Sequence, residues 1–185
     1  MGKRLIQGDD FKEMVIAAEH IMRINVDKVN DLNVFPVPDG DTGSNMHRTL
    51  VAGREALVAS NEPSLGEAAG LFADGLLMGA RGNSGVILSQ LFRGFSEEVL
   101  SLPSMNARQL AEALQAGVNA AYDTVVNPME GTILTVAREA AKHALKVAKK
   151  NEDVIEVMIA VRDKAQETLS KTPKMLDVLK EVGVV

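Results

Sequence analysis

Apolar residues recur at helical spacing along almost the whole chain, and Pro/Gly or polar clusters interrupt them at short intervals. The first such segment runs from about Asp9 or Asp10, either a fair N-cap, to about Asp31. It places Phe11, Met14, Val15, Ala18, Ile21, Met22 and Val29 on one face, with His20 one step off that stripe as a structural or surface histidine. A second helix is predicted from about Thr42 to Ser60. Asn61-Glu62-Pro63-Ser64 reads as a turn, and Ser64-Leu65-Gly66-Glu67 as a capping box opening a third helix to about Met78. The fourth runs from about Ser84 to Leu100, with Val86, Ile87, Leu91, Phe95 and Val99 inward. The fifth spans about Asn106 to Val125, the sixth Thr132 to Lys149 and the seventh Asp153 to Leu169. Thr172-Pro173 opens a short eighth helix to about Lys180. No segment alternates at period two, so no strand is predicted. The expected fold class is all-α, with eight helices, short connections and antiparallel neighbours in one domain over residues 1–185.

Composition agrees with this pattern. The 185 residues are 46% hydrophobic but only 3% aromatic, and Ala, Val, Leu, Ile and Met carry the apolar content, which favours closely packed helices. A net charge of −5 leaves no basic footprint for nucleic acid. With no cysteine, disulfides and thiolate metal sites are excluded and a cytoplasmic home is permitted. The start lacks the apolar core of a signal peptide and the Ser/Thr of an N-myristoylation pattern. No apolar run approaches the roughly 20 residues needed to cross a bilayer, so no stable membrane insertion is expected.

The candidate chemistry centres on Asn33-Val34-Phe35-Pro36-Val37-Pro38-Asp39-Gly40-Asp41-Thr42-Gly43-Ser44-Asn45-Met46. Asp39 and Asp41 flank a glycine that can take positive φ, behind two stiff prolines and ahead of a helix. Two carboxylates suit Mg²⁺, a hard cation that also keeps waters and substrate phosphates. Thr42, Ser44 and Asn45 sit at a helix N-terminus, which favours anions. Read plainly, the same residues are a Pro-Asp-Gly turn with Asp41 or Thr42 as N-cap. Within the second helix, Gly43 suggests close approach of phosphate to the backbone and Gly53 a helix–helix contact. His47 is within reach of a phosphate there, and a hydrogen-bonded structural role fits it equally.

In an up-and-down arrangement the N-termini of helices two, four, six and eight share one end. That end collects Pro38-Asp39-Gly40-Asp41-Thr42-Gly43, Gly82-Asn83-Ser84-Gly85, Glu130-Gly131-Thr132 and Thr172-Pro173. Several helix N-termini with small hydroxylated residues attract an anion, whereas two carboxylates repel a bare one. A divalent metal bridging carboxylate and phosphate resolves the conflict, so Mg-nucleotide is the simplest ligand. Phosphate-binding sequences of the Gly-x-x-x-x-Gly-Lys-Ser/Thr and Gly-x-Gly-x-x-Gly kinds are absent, and three scattered histidines support no Ser–His–Asp set.

The stretch 33–46, together with Gly-Ala-Arg-Gly-Asn-Ser-Gly-Val-Ile-Leu-Ser-Gln at 79–90 and Pro-Met-Glu-Gly-Thr-Ile-Leu-Thr-Val at 128–136, resembles the ATP-binding subunit of bacterial fatty acid kinase. That domain is similar to the L subunit of dihydroxyacetone kinase. The resemblance implies an eight-helix antiparallel barrel that binds ATP or ADP and two Mg²⁺ at one end. It assigns metal ligation to Asp39 and Asp41, with Asn33 or else Asp31 completing the set. Phosphate and nucleotide contacts fall to Thr42, Gly43, Ser44, Asn45, Met46, Gly82, Asn83, Ser84, Gly85, Gly131 and Thr132. Asp39, Asp41 and Thr132 carry the catalytic roles. The implied reaction is transfer of the ATP γ-phosphate to the carboxylate of a fatty acid presented by a separate fatty-acid-binding protein. Dihydroxyacetone phosphorylation and a non-catalytic nucleotide-binding regulatory domain are the alternatives. Family members continue beyond a position equivalent to Val185 into a loop over the nucleotide and then further domains. The chain is therefore expected to be an N-terminal domain of a longer protein, with any homodimer interface outside it.

Overall fold

The structure, a computed structural model, describes residues 2–61, 64–181 and 183. The predicted turn residues Glu62 and Pro63, and most of the stretch beyond Glu181, lie outside the described residues. The helices follow the apolar segments closely: α3 (Thr42–Val58), α4 (Leu65–Gly79), α5 (Gly82–Val99), α6 (Ala107–Thr124), α7 (Ile133–Ala148) and α8 (Val154–Leu169). The all-α class expected from sequence is therefore what the chain adopts. Consecutive helices are packing partners throughout: α3 with α4, α4 with α5, α5 with α6, α6 with α7 and α7 with α8.

Four expectations are corrected. The long first helix is two, α1 (Gly8–Ile24) and α2 (Val26–Asp31), because Asn25 turns its amide back onto the Ile21 carbonyl at 2.8 Å and competes with the backbone ladder. Its N-cap is Gln7, whose N–H donates to Asp10 Oδ2 at 2.9 Å, so Asp10 acts from the first turn. The eighth helix begins as a 3₁₀ turn, Thr172–Lys174, and continues as α9 (Asp177–Glu181). A short antiparallel ribbon joins β1 (Leu5–Gln7) to β2 (Ser104–Asn106), with Ile6 opposite Met105. Ile6 and Met105 are both buried, so the ribbon stabilises chiefly by inserting two apolar side chains under the helices.

The end of the bundle remote from the candidate site is tied down through that ribbon. Leu65 and Gly66 at the start of α4 donate to the Pro103 and Leu102 carbonyls, and Val154 at the start of α8 donates to Lys3 O. Ser64 and Glu67 form the predicted capping box, and Asn106 with Gln109 forms another. The core holds four of the five phenylalanines: Phe11 lies 5.9 Å from Phe72 and 5.8 Å from Phe95, and Phe92 lies 4.8 Å from Phe72, between ring centroids.

Two predicted inward faces are borne out only in part. On α1, Phe11 and Val15 are buried as expected, together with Gly8 and Glu19, while Met14, Ala18 and Ile21 are exposed. The cause is polar: Glu19 Oε1 accepts from His47 at 2.8 Å and Glu19 Oε2 faces Arg54 at 3.6 Å, so the carboxylate is drawn inward. His47 is thereby a structural histidine. On α5, Phe95 and Val99 are buried as expected, but Val86 is exposed and Leu88, Ser89 and Gln90 are buried too. No described helix is long and apolar enough to cross a membrane.

Candidate nucleotide site

The loop after α2 turns on Pro36, Pro38 and Gly40, whose φ of +68° only glycine adopts without strain. Asp39 and Asp41 stand exposed on either side of it. Asn33 organises the turn from within: its Nδ2 donates to Asp39 Oδ1 and to the Val37 carbonyl, each at 2.9 Å, and its Oδ1 accepts from the Thr42 hydroxyl. Asn30, one turn earlier on α2, grips the start of α3. Its Oδ1 accepts from Ser44 N at 3.1 Å and its Nδ2 donates to Ser44 Oγ at 3.1 Å.

The starts of α3 and α5 meet. Thr49 Oγ1 donates to Asn45 O at 2.8 Å and accepts from Arg81 N at 3.1 Å. The Asn45 amide lies so close to Gly82 that a Cβ there would come within 2.5 Å of it, and a Cβ on Gly85 would come within 2.4 Å of Thr49 Oγ1. The Asp39–Asp41 turn, Thr42, Ser44 and Asn45 therefore share one corner with Gly82, Asn83 and Ser84. Asp31 is exposed at the end of α2.

The remaining assigned residues stand elsewhere. Gly131 and Thr132 precede α7 and pack beside the 3₁₀ turn, where a Cβ on Gly131 would lie 3.1 Å from Thr172 O. The antiparallel order α5–α6–α7 brings this second corner to the same end of the bundle. Thr132 is half-buried, with its hydroxyl on Met129 O at 2.8 Å. Met46 packs against the hydrophobic core. Gly43 is a packing glycine: a Cβ there would lie 2.3 Å from the Val26 carbonyl, so α2 sits directly on α3. Gly53 is one as well, as expected, since a Cβ there would lie 2.7 Å from the Phe72 ring.

The donor set fits Mg²⁺. Asp39 and Asp41 are hard ligands exposed to solvent, with room for waters and phosphate, and the Asn33 amide oxygen beside them is taken by the Thr42 hydroxyl. Among the described residues no group of three His, Cys, Asp or Glu side chains is placed to hold a metal ion, so the two aspartates would need waters and phosphate to complete a Mg²⁺ shell. Sequence reasoning missed Asn30 and Thr49, since hydrogen bonds across helices leave no periodic trace.

A family model described as the DAK2 domain matches residues 36–185. The chain belongs to the DAK2 family. DAK2 domains are like the L subunit of dihydroxyacetone kinase, and the family is associated with kinases. An uncharacterized protein of Staphylococcus saprophyticus subsp. saprophyticus is 51% identical over 180 residues, covering 97% of this chain and 33% of that protein. Uncharacterized proteins of Staphylococcus aureus strains USA300 and NCTC 8325 are each 52% identical with the same coverage. The chain thus spans about a third of the length of these relatives.

Proposed function

We propose that this DAK2 domain is the Mg-ATP-binding part of a cytoplasmic phosphotransferase whose acceptor is the carboxylate of a fatty acid held by a separate binding protein. The observation that carries the reading is the meeting of the Asp39–Gly40–Asp41 turn with the starts of α3 and α5. Carboxylates would repel a nucleotide, and two helix N-termini would attract it; a divalent cation makes both useful at once.

In this reading Asp39 and Asp41, with Asn33, would hold two Mg²⁺. When bound, the metal supplies positive charge that neutralises the phosphates. Ser44, Asn45, Asn83 and Ser84 supply hydroxyl, amide and backbone N–H groups to phosphate oxygens. Thr132 orients the terminal phosphate. The acceptor carboxylate oxygen attacks the γ-phosphorus, the bond to the β,γ-bridging oxygen breaks, and acyl phosphate and ADP leave. A carboxylic acid with an ordinary pKa near about 4.5 is already ionised at neutral pH, so no general base is required.

The test is ADP formation by the domain with Mg-ATP, a fatty acid and its binding protein, with hydroxylamine trapping of the product. Fatty-acid-dependent ADP and a trapped hydroxamate support the reading. The DAK2 likeness favours one second reading, a hydroxyl acceptor. ADP formation that follows dihydroxyacetone supplied with a partner subunit would select it. Mg-ATP binding without turnover on either acceptor would point to a regulatory nucleotide-binding domain.

A further inference from the structure

We propose that Arg138 is a positioning residue for the terminal-phosphate side of the site; this rests on the reading of Thr132 as the hydroxyl that orients that phosphate. Arg138 lies on α7, just under two turns beyond Thr132. Its guanidinium makes a two-pronged contact with Glu130, Nη1 to Oε1 at 2.5 Å and Nη2 to Oε2 at 3.0 Å. The fork is itself held. Nη1 also donates to the Tyr122 hydroxyl at 3.0 Å, Nε donates to Glu139 at 3.0 Å, and the guanidinium lies 5.8 Å from the centre of the Tyr122 ring. A planar guanidinium bound along both edges transmits a fixed geometry that a flexible ammonium does not.

That geometry passes to the turn before Thr132. The hydroxyl of fully buried Thr135 donates to Glu130 Oε2 at 2.9 Å and accepts from Gly131 N at 3.0 Å. Gly131 has φ of +82°, so the backbone there reverses sharply and delivers Thr132 as the N-cap residue of α7. Arg138, Glu130, Thr135 and Gly131 therefore form one chain of contacts ending at Thr132. The apolar packing of α7 comes from buried Leu134, Ala140, Ala141 and Ala144, whereas Arg138 is half-buried, so the helix has apolar contacts that do not depend on the fork. The fork sets where the turn stands, and a phosphate-directed hydroxyl is sensitive to displacements of about an ångström.

The test is titration of Mg-ADP and Mg-ATP into the parent, Arg138→Gln, Arg138→Lys, Glu130→Gln, Thr132→Val and the Arg138→Gln/Thr132→Val pair, with thermal unfolding alongside. Arg138→Gln is expected to leave ADP affinity nearly unchanged and weaken ATP by about tenfold or more. Arg138→Lys should restore part of the loss. The double variant should bind ATP no more weakly than Thr132→Val alone, because both act through one hydroxyl. If Arg138→Gln fails to fold, Glu130→Gln must give the same ATP-selective loss. Folded variants that keep the parent's ATP-to-ADP ratio overturn the proposal, as does an equal loss of both nucleotides that follows melting. A parent that binds neither nucleotide overturns the nucleotide reading and this inference with it.

Discussion

Glu19 shows how one charged side chain redirects a helix. Its carboxylate is buried and faces two basic side chains on α3, His47 and Arg54; among the described residues the Nε of Arg54 has no hydrogen-bond partner. Removing it takes the partner from both half-buried side chains, so Glu19→Ala should destabilise by about 1–3 kcal/mol in chemical denaturation. The pattern of apolar residues did not show this, because Met14, Ala18 and Ile21 make as regular a stripe as Phe11, Val15 and Met22. The choice between them was made by a contact 28 residues away. Glu130 is the second informative carboxylate. The Arg138 fork, against some burial, holds its carboxyl below the ordinary glutamate value of 4.5. Its contribution is therefore complete above that value and is lost as pH falls through the lower folded-state value. The stability difference between parent and Glu130→Gln should shrink as pH is lowered below 4.5, measured by denaturant titration at each pH.

Helices were legible wherever an apolar run ended in a recognisable stop. Ser64 with Glu67, and Asn106 with Gln109, start α4 and α6 where the sequence places them. The break at Asn25 and the ribbon were not legible. A side-chain amide folding onto a carbonyl has no periodic signature, and three-residue strands are too short to alternate. Glycines divide by what lies above them. A Cβ on Gly43 would meet a backbone carbonyl that has no soft rotamer to yield, whereas one on Gly70 meets nothing within 4 Å. Gly43→Ala is expected to cost about 1–3 kcal/mol through overpacking of α2 on α3. Gly70→Ala should stabilise by roughly 0.5–1 kcal/mol from helix propensity. Unfolding midpoints that move the same way for both variants would contradict the packing described between α2 and α3.

The placement of all the site residues at one end of the molecule follows from the connectivity. Short loops make neighbours antiparallel, so every second helix starts at the same end, and the Pro/Gly-rich segments precede those starts. The sequence pattern carried that much. It did not carry the division into two corners, the Asn33 bridge between Asp39 and Thr42, or the network behind Thr132, all of which depend on contacts between elements. The Asp39–Asp41 turn is the proposed metal–phosphate centre. The most direct measurement is calorimetric titration of ADP and ATP into the domain, with Mg²⁺ and with chelator, beside Asp39→Ala and Asp41→Ala. Both carboxylates are exposed on a loop, so the variants should melt close to the parent. Binding that requires Mg²⁺ and weakens by at least about tenfold in each folded variant is the predicted result. Nucleotide binding that is indifferent to Mg²⁺ and to both aspartates would contradict the account.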